Sequence, residues 1–304
     1  MAQSITLTAS MRSNLASLKS IQSQMDTTQE RLSTGKKVNS AIDNASSYYQ
    51  SRALTNRASD LSSLLDSMGQ GIQTIQAANE GLESLTSYVE QMKAVADTAA
   101  TLAKVTAPAG EKADAADQDA WQAQKDAYDA YTTELKSYQD QFNAIRAQAE
   151  KLINDTSYQG INLLKGQKLT VVFNESRGNS LDVQVDSLLG DKGIDILKAD
   201  VNWTADAGAT AKTTVDEAIS AVTAGVTKLR SVSSELGNTY SIIQTRQEFT
   251  EALIDVLETG ADNLVLADMN EESANYLALQ TRQQLAINSL SLASQSAQSV
   301  LQLF

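Results

Sequence analysis

The chain has 304 residues with no Cys, no His, one Pro (Pro108) and 5% aromatic residues, which excludes disulfide frameworks, soft-metal sites and the common nucleophile–base pairs. Its formal net charge of −13 is uneven: +3 over residues 1–40 and +1 over 277–304, leaving −17 between them. An acidic middle predicts no nucleic-acid partner, because phosphate neutralisation needs a cationic surface.

The N-terminal stretch carries an apolar stripe at Met11, Leu15, Leu18, Met25 and Leu32, separated mainly by Ser, Gln, Asn, Thr and Ala. Residues 1–14 have no apolar h-region and no small-residue cleavage site, so no cleaved secretory signal is expected. The apolar runs fall far short of the roughly 20 residues that cross a bilayer, so no membrane insertion is expected. Residues 33–40, with Gly35, should interrupt this first helix.

Three long stretches then alternate apolar spacings of four and three, the pattern of helices packed on helices. The first runs from Leu54 through Leu61, Met68, Ile75 and Leu82 to Val89, with Asn79 in its seam. After an acidic, small-residue loop at 106–117, the second begins near Trp121 and runs through Tyr128, Tyr131, Leu135, Tyr138, Phe142 and Ile145 to Leu152. Alternation in Leu169–Phe173 and Leu181–Val185 around residues 174–180 predicts a β-hairpin over about 168–186. Residues from about 188 to 214 are irregular, a short loop or a vestigial outer element. The third helical stretch runs from Val215 through Leu229, Leu236 and Ile243 to Leu257, with Gln247 in its seam; it would be roughly 65 Å long.

Gly260 is a candidate break before a C-terminal stripe of Tyr276, Leu279, Gln283, Ala286, Leu290, Ala293, Ala297, Val300 and Phe304. Leu285 and Leu292 form a second stripe away from the first, and Leu301 adds to the apolar end. A helix apolar on more than one side, with only Arg282 as charge over its last 28 residues, should be surrounded by other helices.

Several residue groups have sharper alternative readings. Asp114, Asp117 and Asp119 resemble a calcium loop, but the turn Gly and closing Glu are missing, so an acidic loop is expected. The tyrosines at 128, 131 and 138 sit at core spacing rather than forming a stacking platform. Arg31, Lys36 and Lys37, beside Asp43, read as inter-subunit or loop contacts. No acid–base or nucleophile constellation stands out, no cofactor is implied, and the chain is not expected to be an enzyme.

The segment ERLSTGKKVN at 30–39, followed by SAIDNA at 40–45, closely resembles the bacterial flagellin signature near that family's N-terminus. YQGINLL at 158–164 resembles the motif before the family's hairpin, and QLAINSLSLASQSAQSVLQLF at 284–304 resembles its C-terminus. The resemblance implies a mainly α fold: a long antiparallel, coiled-coil-like helical rod with one β-hairpin, plus paired terminal helices forming an inner tube. It divides the chain into 1–45 (N-terminal inner-tube helix and connector), 46–259 (rod) and 260–304 (C-terminal inner-tube helix).

By the same resemblance, the chain is a secreted, extracellular filament subunit for motility. It would polymerise with itself and meet the flagellar export apparatus, an export chaperone, the filament cap and hook-associated proteins. Met11, Leu15, Leu18, Met25, Leu32, Leu279, Leu285, Leu290, Leu292, Val300, Leu301 and Phe304 are then the expected assembly interface. Free chain ends should be disordered, because each stripe lacks a partner until assembly. A hook–filament junction protein and a surface adhesin of the same family are the alternative readings.

Overall fold

The structure is a computed structural model that describes residues 9–102, 104–108, 118–204 and 211–301, without some side chains near the helix ends. The helices are α1 (Ala9–Thr34), α2 (Ala45–Ala100), α3 (Gln118–Asp155), α4 (Ala211–Val265) and α5 (Met269–Leu301). Strands β1 (Leu169–Val172) and β2 (Ser180–Val183) form one antiparallel hairpin between α3 and α4. The fold is mainly α, as the sequence pattern predicts.

Local chemistry sets the helix ends. Gly35 lies at φ +71°, where a side chain would be strained, and its N–H closes α1 on the Arg31 carbonyl at 2.8 Å. Asn44 opens α2 by accepting from the Ser47 N–H at 3.1 Å. Asp268 accepts from the N–H groups of Asn270 (2.9 Å) and Glu271 (3.3 Å), and Glu271 and Glu272 add negative charge to the positive end of α5. The expected break at Gly260 does not occur: α4 continues to Val265. A Cβ at 260 would meet only the end of Leu54 at 3.5 Å, an ordinary contact, and the position has no left-handed backbone, so Gly260 is simply carried inside the helix.

The chain falls into two compact units, Met1–Asp60 with Ala252–Phe304, and Leu61–Glu251. In the second unit the predicted seams of α2, α3 and α4 meet: Met68, Leu82, Leu135, Phe142, Val222 and Leu236 are buried together. Tyr131 is buried, and Tyr128 and Tyr138 are half-buried, as core spacing requires. Asn79 is exposed rather than seated in the seam; it accepts a hydrogen bond from Ser233 Oγ on α4 at 3.1 Å. Gln247 is half-buried and donates along its own helix to Glu251 at 3.3 Å.

Leu169 pairs with Val183 and Val171 with Leu181. The alternation buries Leu169, Val171 and Val183, and Val171 approaches α2 where only Gly71 leaves room. The stretch from 188 is irregular in backbone but not peripheral: Leu188, Ile194, Leu197 and Trp203 are buried in the core. Trp203 packs tilted on Phe142, with ring centroids 5.1 Å apart.

Three residues on one side of α3 fasten this stretch. The Gln139 side-chain oxygen accepts from the Trp203 N–H at 2.7 Å, and Asn143 exchanges two 3.0 Å hydrogen bonds with Val201. Arg146, itself buried, donates to the Leu197 carbonyl at 3.0 Å and to Asp200 at 2.9 Å. Asp114 and Asp117 lie outside the described residues.

Candidate assembly interface

Within the first unit, α1 and α5 pack antiparallel. Arg31 Nη1 bonds Glu272 Oε1 at 2.9 Å, and two turns and more further on Gln283 Nε2 donates to Gln22 Oε1 at 2.6 Å. As one partner number falls the other rises, so Leu279 lies opposite the Met25 region and Leu290 nearer the start of α1. The Arg31–Glu272 ion pair and the Gln22–Gln283 hydrogen bond fix register between the two helices where the apolar stripe alone would slide.

The predicted interface residues separate into two sets. Met11, Met25 and Leu279 are buried, and Leu18, Leu32 and Leu290 half-buried, so this set already faces the partner helix of the same chain. Leu15, Leu285 and Leu292 are exposed. Val300 and Leu301 lie on α5 with side chains outside the description, and Phe304 lies outside the described residues.

Sequence periodicity missed Leu277 and Ile287, both exposed on α5. Leu277, Leu285 and Leu292 recur at spacings of eight and seven, which puts them along one side of the helix, away from the α1-facing residues. They are 62%, 60% and 65% exposed. Here is an apolar stripe that the chain does not cover by itself.

The connector from α1 to α2 is held in place on both sides. Lys37 N–H and Val38 N–H donate to the Val265 carbonyl at 2.7 and 3.3 Å, and the Ala267 N–H donates to the Gly35 carbonyl at 3.0 Å. Lys37 Nζ reaches the Asn263 carbonyl at 3.2 Å. Arg31 and Lys37 are therefore engaged inside the chain, Arg31 by Glu272 rather than by Asp43, while Lys36 is tied through its backbone, bridged to Leu266. Asp43 closes the connector: its Oδ2 accepts from the N–H groups of Asn39 (3.0 Å) and Ser40 (2.9 Å) and from Ser40 Oγ (3.1 Å). Those donors, the Ser40 and Asn39 N–H groups first, hold its carboxyl below the ordinary carboxylate range.

No group of three or more acidic side chains among the described residues could hold a metal ion, and no described helix is long and apolar enough to cross a membrane. A surface cleft of about 740 Å³ between α2 and α4 is lined by side-chain amides and hydroxyls with Ile75 and Leu236, and Glu80 is the one titrating carboxylate in its lining.

Comparison with known proteins agrees with the helical layout. The family model of the bacterial flagellin N-terminal helical region matches residues 5–107, and that of the C-terminal helical region matches 214–304. Flagellin FljK of Caulobacter vibrioides is 30% identical over 99% of this chain and 98% of its own length. A flagellin of Brucella melitensis is 29% identical over 99% of both chains, and Flagellin C of Rhizobium meliloti 30% identical over 95% of both. With both terminal regions matched and full-length similarity at this level, the chain belongs to the bacterial flagellins, structural subunits of the flagellar filament.

Proposed function

We propose that this chain polymerises outside the cell by burying the outward stripe of α5, together with Leu15 of α1, against terminal helices of neighbouring copies. The observation that carries this reading is the division of the α5 stripe. One side is satisfied by α1, while Leu277, Leu285 and Leu292 stand exposed on the other. Leucines that recur along one side of a helix with few charges call for further helices around it. A repeated heterologous contact that does not close gives an open helical filament rather than a ring.

Folding and polymerisation are coupled in this scheme. The α1–α5 pair, including Met11, Met25, Leu279 and Leu290, gains its full stability only when neighbours cover the outer stripe, so docking completes an ordering that the pair begins in the soluble chain. Residues 1–45 and 260–304 act as the inner-tube segments and 46–259 as the helical body. Val300, Leu301 and Phe304 extend the contact.

The role is structural and not catalytic. Before assembly the exposed α5 stripe is an aggregation hazard, so an export chaperone covers roughly residues 275–304, ahead of passage through the flagellar export apparatus. The filament cap and hook-associated proteins complete the set of partners.

The test is Leu285→Asp and Leu292→Asp in the full chain, followed by salt-induced assembly, sedimentation and negative-stain microscopy. Burial of an unpaired carboxylate costs several kcal/mol. Both variants should stay soluble with an unchanged melting temperature; filaments forming at the ordinary critical concentration would refute the interface.

A further inference from the structure

One apolar side chain outside the terminal helices is presented to solvent by a held turn. Ile42 is 96% exposed, more than any other large hydrophobic side chain described. Single exposed apolar residues are ordinary and need no explanation. Ile42 differs because its backbone is fixed. Its N–H donates to Ser40 Oγ at 3.3 Å, and that hydroxyl is itself bound to the Asp43 carboxylate at 3.1 Å. Asp43 N–H returns to the Ser40 carbonyl at 3.2 Å. Before the turn, Val38 is buried and hydrogen-bonded to Val265; after it, Asn44 opens α2. The connector therefore has little slack around residue 42. Docking of this side chain would cost little ordering entropy beyond one rotamer.

We infer that Ile42 is a contact knob that seats on an apolar surface of a second copy of this chain. The inference rests on the assembly reading above and adds a contact outside the terminal helices. Three observations select a second copy as occupant. The chain is a filament subunit, so copies are the partner present in the assembled state. The turn belongs to the same compact unit as the α1–α5 pair and follows α1 directly. That unit also exposes Tyr49, Val256 and Met269, so a copy has apolar surface to offer in return. The neighbouring Asp43 carboxylate keeps its charge but turns Oδ2 to three donors of the turn itself, which leaves Ile42 as the apolar side chain that the turn presents.

The absence of Cys from the chain supplies a clean test. Ile42→Cys introduces a single thiol, as does Leu285→Cys for the proposed interface. With a maleimide probe, the Ile42→Cys thiol should react quickly in the soluble subunit and at least about tenfold more slowly in purified filaments. Equal rates in both states overturn the inference. If Leu285→Cys is protected in those filaments while Ile42→Cys is not, the assembly reading stands and only the knob fails. If both react freely, the assembly reading fails and takes the knob with it.

A second variant guards against a thiol that itself prevents assembly. Ile42→Ala removes only side-chain carbons that touch nothing in the free chain, so the melting temperature should not move. The critical concentration for assembly should rise about tenfold, as expected for exposing most of one buried Ile side chain. An unchanged critical concentration overturns the proposal.

Discussion

The two units of this chain are built from similar helices and end in opposite states. All twelve of the largest fully buried side chains, from Trp203 and Phe142 to Leu188, lie in Leu61–Glu251. Ten of the twelve exposed large hydrophobic side chains lie in the other unit, including Ile42, Tyr49, Val256 and the outer stripe of α5. A helix whose seam meets two others within the chain can exclude water by itself. A pair of helices has only one shared side, and whatever apolar surface lies elsewhere stays wet until something else covers it. The second unit is a completed core, and the first is an unfinished one.

The strongest way to break this comparison is to delete the unfinished part. Removal of residues 1–40, or of 265–304, should abolish polymerisation and leave the melting of the Leu61–Glu251 core in place, read by calorimetry and sedimentation. Normal filaments from either truncation would mean that the terminal helices are dispensable. The reciprocal experiment is Phe142→Ala, which empties the contact with Trp203 and should cost about 3–5 kcal/mol of stability in urea unfolding. A loss below about 1 kcal/mol would show that this core is not closed around Phe142.

Sequence periodicity made most of this fold legible, because seams buried on two sides repeat at three and four residues whether or not the partner is known. The same rule explains its failures. The stretch beyond 188 has no period, so its burial could not be seen, although it carries Trp203, one of only two Trp in the chain. A faint signal was present in Gln139, Asn143 and Arg146, polar residues on one side of α3 that no helix-to-helix seam requires. Gly260 reads as a stop in the sequence, yet a lone glycine costs a helix only about 1 kcal/mol and α4 runs through it to Val265.

At the candidate interface, the existence of two stripes on α5 was visible but not which one the chain covers itself. That depends on register with α1, fixed by Gln22–Gln283 and Arg31–Glu272 across more than 240 residues of sequence. The fastening of the Ile42 turn by Asp43 was likewise hidden, since a single carboxylate gives no periodic trace.

The two α5 stripes can be separated by a matched pair of substitutions. Leu290→Asp places a charge on the half-buried, α1-facing side, so it should loosen the pair inside the soluble chain and lower its far-UV helical signal as well as impair assembly. Leu292→Asp, on the exposed side, should impair assembly alone. Identical effects on the soluble chain would erase the distinction between the inner and outer stripes. In the completed unit, Arg146→Leu should lower stability by about 1–3 kcal/mol, because it strands the Leu197 carbonyl and frees the stretch that carries Trp203. A neutral outcome in urea unfolding would show that Trp203 holds that stretch without help.

The smallest expected effect is a pH dependence that belongs to the connector. The Asp43 carboxyl is held below the ordinary carboxylate range by the N–H groups of Ser40 and Asn39 and by Ser40 Oγ, with Arg31 adding a weaker attraction. An unfolded chain would bind a proton there at higher pH than the folded chain does. The stabilisation is therefore present at neutral pH and down to the ordinary carboxylate pKa, and it is lost as pH falls through the lowered value. Asp43 is fully exposed, so the contribution to overall stability is modest. Its effect should be concentrated in the turn that carries Ile42. Asp43→Asn removes the titrating group and one of its best acceptors, so wild type should be the more stable at neutral pH and the two should converge in strong acid. Thermal melts of both proteins across that range provide the measurement, with the assembly threshold followed in parallel. A constant gap between the two curves down to the lowest pH would show that the Asp43 charge does not hold the turn, and Ile42 would then have to be fixed by Val38 and Asn44 alone.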